Sequence, residues 1–217
     1  MTTTIDPFVL EGNQVRLEPL ELRHVDALVA ASAVDPPLYQ WSAVPLGHAA
    51  TVAYVESALA GQAAGTTLPF VSVRLSDDEV IGSTRYFDLD SWPWPAGHER
   101  AGRGLPDACE IGYTWYTRSA IRTAANTEAK MMMLTHAFET WGMVRVCLHT
   151  DERNERSRAA MERIGCRFEG ILRSHRLAVD GIPRNSARFS IVASEWPEAK
   201  GRLQAKMAHY VEIHARI

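Results

Sequence analysis

A polar loop from Thr117 to Asn126 carries the groups whose types and spacing best suit the binding of an anion. It precedes a helix that the apolar spacing predicts from about Thr127 to Trp141. The N–H groups at a helix N-terminus have no intrahelical acceptors and lie at the positive end of the helix dipole. Arg118 and Arg122 add two positive charges. The loop therefore favours a pyrophosphate, although many ordinary helix starts share these features.

Asn154 and Ser157 stand at the start of a second predicted helix, which runs from Glu155 to about Ile164 and ends at Gly165. Asn154 occupies an N-cap position, and Ser157 follows three residues later. In one interpretation the Asn154 side chain satisfies a backbone N–H group of its own helix. In the other, both side chains face the mouth between two strand ends, where a ligand would lie.

Two strands must position these residues. The first is predicted from Cys109 to Tyr116, and its period of two places Ile111, Tyr113 and Trp115 on one face. The second is predicted over residues 143–150, after Gly142 ends the first helix. The order is strand, loop, helix, strand, helix and strand, which brings the loop and Asn154 to neighbouring strand ends.

The chain resembles the GNAT superfamily of acyl-CoA-dependent N-acyltransferases, and within it the RimJ/RimL-like branch. The likeness is carried by RTAANTEAK at residues 122–130, Arg145-Val146, TDERNERSRAAMERIGCRFEG at 150–170 and LRSH at 172–175. These motifs are specific in combination rather than singly. The likeness extends over most of the chain, from Val15 to Trp196.

This resemblance implies one GNAT-like domain over residues 1–217, of mixed α/β (α+β) class. The expected fold is a mostly antiparallel, twisted sheet of about seven strands with a splayed strand pair. About four helices flank the sheet, and a further C-terminal helix runs over about 195–214. The cofactor core would span 109–170, and an irregular loop would span 88–107.

The resemblance also implies roles for individual residues, with acetyl-CoA or another acyl-CoA as donor. The loop from Arg122 to Thr127 would hold its pyrophosphate, the strand at Tyr113 would pair with the pantetheine amides, and Asn154 would contact the pantetheine arm. Glu110 would be the base for the amine, and Ser157 the acid that reprotonates the thiol. The implied cofactor-binding residues are Tyr113, Thr114, Trp115, Arg122, Thr123, Ala124, Ala125, Asn126, Thr127 and Asn154.

The loop departs from the superfamily's pattern, Q/R-x-x-G-x-G/A, because it contains no glycine. With the last position of the pattern set on Asn126, Ala124 stands at the first glycine. Glycine permits left-handed dihedrals and a close approach of phosphate. Alanine serves if the loop stays right-handed, and Asn126 tolerates a positive φ.

Aromatic residues in two irregular segments are candidates for contacts with the acceptor amine. Tyr39 and Trp41 lie in a loop predicted over 38–46, where packing of the loop itself is the alternative. Trp92 and Trp94 lie in the 88–107 loop, whose prolines and glycines exclude a helix or a central strand. That loop is expected either to line the acceptor site or to form a homodimer contact.

Composition narrows the class of protein. The formal net charge is −3 without a basic block, which does not support nucleic-acid binding. No apolar run reaches the ~20 residues that cross a bilayer, and the N-terminus lacks a secretion signal. Cys109, Cys147 and Cys166 lack metal-type spacing, and the eight histidines form no metal motif. We therefore expect a cytoplasmic protein with buried, reduced thiols, no metal and no membrane partner.

Three functions remain open. The first is an N-acyltransferase acting on a protein N-terminus or a small amine. The second is a catalytically weak CoA-binding regulatory module, which the glycine-free loop suggests. The third is an antibiotic-modifying acetyltransferase, which would need an acidic cleft for a polycation. A catalytic dyad of His149 and Asp151 is disfavoured, because alternate strand residues followed by a turn more often stand apart.

Overall fold

The computed structural model describes the backbone of residues 5–214 and the side chains of residues 5–210. Its helices are α1 (Val25–Ala33), α2 (His48–Ala63), α3 (Ala125–Thr135), α4 (Glu155–Arg163) and α5 (Trp196–His214). Its strands are β1 (Leu10–Glu11), β2 (Val15–Pro19), β3 (Thr67–Arg74), β4 (Glu79–Asp90), β5 (Ala108–Tyr116), β6 (Arg145–Asp151), β7 (Arg167–Leu177) and β8 (Pro183–Val192).

The described strands form one sheet in the order β1-β2-β3-β4-β5-β6-β8-β7. Every neighbouring pair is antiparallel except β5 and β6, which are parallel. This architecture confirms the predicted GNAT-like sheet, with two-residue β1 as the strand that the sequence did not indicate. The predicted splay is also present. β5 and β6 pair at only three positions, the last being Glu110 with Cys147, and the strands then separate.

Two apolar layers sandwich the sheet. On one face, Met133, Leu134 and Leu203 of α3 and α5 pack against strand residues such as Phe70 and Phe189. On the other face, Leu28 of α1 and Val55 of α2 pack against the sheet. Both faces are covered, so a ligand reaches the sheet centre only where strands separate or helices leave a gap.

A β-bulge in β5 makes the predicted alternation wrong beyond Gly112. Ser83 pairs with Trp115 but Arg85 pairs with Gly112, so one residue of β4 faces two residues of β5. Tyr113 adopts a positive φ of 52° at this bulge. As a result Ile111 packs in the α3 layer and Trp115 packs in the α1–α2 layer, instead of sharing one face.

The helix predicted from about Thr127 to Trp141 is also shifted. It begins at Ala125, two residues early, and residues 136–140 form a π-helical turn. The Trp141 amide donates to the His136 carbonyl at 3.0 Å, and the His136 ring stacks on Phe8 with centroids 4.1 Å apart. A π-helical turn holds one residue more than an α-helical turn, and apolar spacing alone does not reveal this extra residue. Gly142 then ends the helix with φ +64°, as predicted.

Three other boundaries differ slightly. β4 continues to Asp90, so the irregular loop covers 91–107 rather than 88–107. The last hairpin joins β7 to β8 through Asp180-Gly181, as predicted, with Gly181 at φ +76°. Tyr39 ends a short 3₁₀ turn, Pro36–Tyr39, instead of lying in an irregular loop. No helix in the described part of the chain is long and apolar enough to span a bilayer.

Candidate active site

The start of α3 presents unsatisfied backbone donors. The first intrahelical bond runs from the Glu128 amide to the Ala124 carbonyl at 2.9 Å, and the Thr123 hydroxyl accepts from the Ala125 amide at 3.2 Å. Within the described residues, the amides of Asn126 and Thr127 and the three amides of residues 122–124 donate to no protein acceptor. Five orphan donors at a helix N-terminus fit an anionic group.

The loop's left-handed residue is Arg122, not Asn126. Arg122 has φ +64°, whereas Ala124 is right-handed at φ −67° and Asn126 lies inside α3. The left-handed position is where a glycine is needed. Ala124, at the first glycine of the superfamily pattern, is right-handed, so alanine adopts this conformation without strain. The loop keeps its shape without glycine because one arginine adopts the strained conformation.

The two arginines of the loop are not equivalent. Arg118 pairs with Asp35, its Nε lying 2.7 Å from the carboxylate, so its charge is balanced within the protein. Arg122 is exposed and, among the described residues, has no ion pair. Of the two charges predicted to face an anion, Arg122 alone remains available.

We expect Arg122→Gly to be more stable than Arg122→Ala by about 1 kcal/mol, because only glycine adopts a left-handed φ without strain. Both variants lose the charge equally. Their acyl-CoA affinities should therefore fall together, and the fall should shrink at high salt. Urea unfolding and calorimetry in low and high salt measure the two effects. Equal stability of the two variants would contradict a left-handed residue at this position.

The three residues of β5 that are predicted to contact pantetheine differ in their surroundings. Tyr113 is 47% exposed, whereas Trp115 is 5% exposed and packs edge-on against Tyr39. The Thr114 hydroxyl bonds the Thr84 hydroxyl at 2.8 Å and accepts from Lys130 Nζ at 2.7 Å. Of these three side chains, that of Tyr113 is the most exposed; the role of Thr114 and Trp115 in cofactor binding stays a prediction for their backbone.

Asn154 caps α4, as the first of the two interpretations holds. Its Oδ1 accepts from the Ser157 amide at 3.1 Å, and the Asn154 residue is buried. The same turn lies where β6 ends, next to the separated strands. The cap uses only the Oδ1 atom of Asn154, so its Nδ2 group could contact a ligand while the helix stays capped. Roles for Asn154 and Ser157 in binding and catalysis stay predictions.

The segment after α1 bridges the ends of β5 and α4. The Tyr39 hydroxyl donates to the Tyr116 carbonyl at 3.3 Å, and the Trp41 ring lies 4.5 Å from the guanidinium carbon of Arg153. Tyr39 is buried, which supports the packing alternative for this residue, whereas Trp41 is half-buried. The segment thus runs from the end of β5 to the turn that follows β6, and contacts of Tyr39 and Trp41 with an acceptor stay predictions.

A buried acid–histidine pair lies where β5 and β6 separate. Glu110 is the last paired residue of β5, and its Oε1 lies 2.9 Å from His149 Nδ1. Both side chains are less than a tenth exposed. Burial acts to raise the pKa of Glu110, but the His149 hydrogen bond and charge, with Arg188 and Arg176, outweigh it and lower that pKa. An ionised carboxylate only accepts, so His149 Nδ1 donates.

Further charged groups surround this pair. Burial and the nearby Glu110 charge raise the pKa of Asp88, which contacts Arg176 at 3.7 Å. Arg188 approaches Glu110 at 3.9 Å, and the His175 ring lies 5.2 Å from the His149 ring. His175 reaches this position because β7 bulges between Leu172 and Arg176. The LRSH motif thus brings a second histidine to the site.

The irregular loop packs at the opposite end of β5. The Trp92 amide donates to Asp107 at 2.8 Å, and the Trp94 ring stacks on His98 with centroids 4.3 Å apart. Arg100 Nη1 donates to the Gly142 carbonyl at 2.7 Å. These contacts hold the loop against the end of the π-helical turn. Contacts of Trp92 and Trp94 with an acceptor, or with a second copy, stay predictions.

Lys130 carries a buried amine that the sequence analysis missed. It is 4% exposed, and its Nζ donates to Thr84 at 3.0 Å as well as to Thr114. Burial lowers the pKa of Lys130 to about 7. A signal was present in the sequence, because Lys130 falls between apolar residues on the face of α3 that also carries Met133 and Leu134.

Above pH 7, we expect the free energy of unfolding of the wild-type protein to rise more steeply with pH than that of Lys130→Met. The folded pKa lies below the unfolded value, so the unfolded chain binds more protons between about pH 7 and 10.4. The free energy of unfolding should rise by up to about 1.4 kcal/mol per pH unit in this window. Urea unfolding at pH 7, 8 and 9 measures the slope, with Lys206→Met as control. Parallel wild-type and Lys130→Met profiles would refute the shift.

A cleft of about 570 Å³ opens beside the loop that precedes α3. It is lined by residues of the β1–β2 turn, by the loop from Ser119 to Ala125 and by Met207 and Tyr210 of α5. None of its lining residues belongs to β6 or α4, so it is distinct from the notch between β5 and β6. In the described residues, no group of three or more His, Cys, Asp or Glu side chains could hold a metal ion.

Comparisons with known proteins agree with this geometry. A GCN5-related N-acetyltransferase from Brucella melitensis superposes with a TM-score of 0.78 at 30% identity, over 93% of this chain and 86% of that one. RimJ of Mycobacterium smegmatis, solved in complex with CoA-disulfide, superposes with a TM-score of 0.72 at 26% identity, over 92% and 95% of the chains.

A sequence relative points in the same direction. The Bacillus subtilis protein named "Putative ribosomal N-acetyltransferase YdaF" is 35% identical over 91 residues, which is 42% of this chain and 49% of that protein. The match thus spans about half the length of that relative. The model of the acetyltransferase (GNAT) domain matches residues 14–167. The predicted resemblance to the RimJ/RimL-like branch is confirmed, and the chain belongs to the GNAT family of acetyltransferases.

Proposed function

We propose that this protein transfers an acetyl or other short acyl group from acyl-CoA to a primary amine, of a protein N-terminus or a small molecule. The observation that carries the proposal is the buried Glu110–His149 pair at the last paired position of β5, where the sheet opens. A base is thereby held beside the notch in which a bound thioester would lie. Family membership and the CoA complex of RimJ support the same assignment.

The residues present fit acyl-CoA. The five amides at the start of α3 and the Arg122 guanidinium, which have no partner among residues 5–210, suit its diphosphate. Between Glu110 and Tyr116, β5 pairs with no described strand on its β6 side, so its backbone groups remain open to the amides of a pantetheine arm. Asn154, buried at the far wall, would complete the channel.

When bound, the acyl donor supplies a thioester whose carbonyl carbon accepts a nucleophile and whose thiolate leaves. The attacking nitrogen becomes strongly acidic as its bond to carbon forms, so a carboxylate of low pKa can take its proton. Glu110 receives this proton, and the Nδ1–H of His149 fixes the carboxylate in place. An open backbone N–H of β5 would polarise the carbonyl. The Ser157 hydroxyl, in the first turn of α4, would return a proton to the thiolate.

The alternatives are less well supported. The right-handed Ala124 argues against a defective loop, which was the motive for a regulatory module without turnover. A polycationic antibiotic would need an acidic cleft, but three of the four candidate acids, Asp77, Asp78, Asp88 and Asp90, pair with arginine, and Asp90 accepts from the Trp92 indole. Asp77 bonds Arg74, Asp78 bonds Arg16 and Asp88 contacts Arg176.

Calorimetry with acetyl-CoA and a thiol-release assay against a panel of amines test the proposal. We expect saturable binding and thiol release that depends on the presence of an amine. Absence of binding at millimolar acetyl-CoA would overturn the enzyme assignment. Binding with no turnover on any acceptor would instead favour the regulatory module.

A further inference from the structure

Arg85 of β4 is a buried cation that has no counterion among the described residues. It is 6% exposed, and its Nε and Nη2 atoms are fully buried with no hydrogen-bond acceptor in the described part of the chain. No carboxylate of a described residue lies within ion-pair distance of it. Arginine cannot shed its proton in a protein, so this site holds a permanent positive charge.

Two tyrosine rings flank this guanidinium. Its central carbon lies 4.0 Å from the ring centroid of Tyr113 and 4.8 Å from that of Tyr54. Tyr113 reaches it because the β-bulge turns that residue out of the strand alternation. Ring faces stabilise a cation but accept none of its in-plane N–H bonds. The buried donors therefore remain unsatisfied, which costs free energy that the aromatic contacts offset only in part.

Arg85 shares a sheet face with the proposed base. The register pairs Arg85 with Gly112 and Phe87 with Glu110. Residues two apart along a strand point to the same side, so Arg85 and Glu110 face the α1–α2 layer about 7 Å apart along the sheet. Tyr54 of α2 closes that layer over the guanidinium. A molecule whose amine reaches Glu110 from this side has Arg85 within reach of its next functional group.

We propose, building on the acyltransferase function proposed above, that the acceptor amine also carries a carboxylate and that Arg85 binds this carboxylate. The planar fork of arginine matches a carboxylate with two parallel N–H···O bonds. Such a pair satisfies both buried donors and supplies the missing counterion. An acceptor without the acid leaves the cation unpaired, so the site discriminates against it. The acid belongs either to a free amino acid or to the first residues of a peptide.

Matched acceptors that differ in a single acid group test this proposal. Alanine and alaninamide represent free amino acids; the amidated tripeptides Asp-Ala-Ala and Asn-Ala-Ala represent protein N-termini. In at least one pair we expect the carboxylate to be preferred by about 100-fold in kcat/KM, and the responding pair identifies the source of the acid. The proposal would be overturned if, in both pairs, the wild-type kcat/KM of the acid-bearing acceptor exceeded that of its amide by less than about threefold. Turnover of these acceptors would still support the acyltransferase function.

Arg85→Met removes the charge with a side chain of similar length, and Arg85→Lys keeps a charge without the fork. We expect Arg85→Met to bring the carboxylate preference to near one by losing rate on the acid-bearing acceptor, and Arg85→Lys to retain part of it. Arg163→Met, at an exposed position of α4, is the control. An unchanged preference in Arg85→Met, or equal losses on both acceptors, would contradict a carboxylate contact.

A binding measurement covers the case in which no acceptor turns over. The same four acceptors are titrated by calorimetry into the protein saturated with CoA. Tighter binding of an acid-bearing member than of its amide, lost in Arg85→Met, supports the site without any chemistry. Equal binding within each pair, or no binding of any of the four, refutes it.

Discussion

Replacing Glu110 with glutamine is expected to lower kcat/KM by about 10²- to 10⁴-fold, the range over which a positioned base contributes to proton transfer. The substitution keeps the size of the side chain and a hydrogen bond to His149, so the loss reports the missing base. The dissociation constant of acyl-CoA should change little, because Glu110 lies away from the α3 amides. Steady-state kinetics across pH, with calorimetry for acyl-CoA, measure both quantities.

Glu18→Gln is the matched control, since Glu18 is a strand carboxylate of β2 that bonds Arg16 rather than any group around Glu110. It should retain activity within about threefold, as surface-type substitutions usually do. The pKa of Glu110 is lowered, so its charge persists at neutral pH and its ion-pair stabilisation is lost only as pH falls below about 4.5. A Glu110→Gln enzyme with wild-type rate and an unchanged acidic limb would remove Glu110 as the base.

Glu128→Ala is expected to destabilise the protein by roughly 3–5 kcal/mol, as the loss of a buried charged partner does. The Glu128 carboxylate accepts from three consecutive amides, those of Asn13, Gln14 and Val15, at 2.8, 2.7 and 2.9 Å. Alanine leaves these donors without an acceptor where the β1–β2 turn meets α3. Gly12 belongs to the same arrangement, because a Cβ there would lie 2.4 Å from the Glu128 carboxyl carbon.

Urea unfolding measures this loss, and Glu155→Ala provides the comparison. Glu155 also lies in the first turn of a helix, but it is exposed, so its removal should cost less than about 1 kcal/mol. Glu128→Gln should fall between the two, since one of its terminal atoms still accepts. Similar losses for Glu128→Ala and Glu155→Ala would show that the three amide bonds contribute little.

Local chemistry in the sequence predicted much of the fold. Gly142, Gly165 and Asp180-Gly181 end elements where their backbone freedom requires it, and Asn154 caps the helix that it precedes. These features depend on residues within a few positions of each other. The family motifs added the splayed pair of strands, which no local pattern specifies.

The site itself depends on contacts between distant residues. Glu110 and His149 are 39 positions apart and meet only through the parallel register of β5 and β6, so the sequence analysis, which considered His149 with Asp151, did not pair it with Glu110. Arg85 gains its tyrosine neighbours through a bulge that also moves Trp115 to the other face. A bulge shifts every later side chain by one position, and period-two analysis assumes that none occurs.

The three cysteines also matter for how the enzyme can be assayed. Cys109, Cys147 and Cys166 are free and buried, as predicted, and burial raises the pKa of Cys109 well above its usual value and that of Cys166 to about 12. Disulfide reagents must reach a thiolate, and all three side chains are at most 5% exposed, so they should stay unlabelled while the protein is folded. A chromogenic thiol probe can therefore follow CoA release continuously with almost no background from the protein, and sudden extra colour would report unfolding.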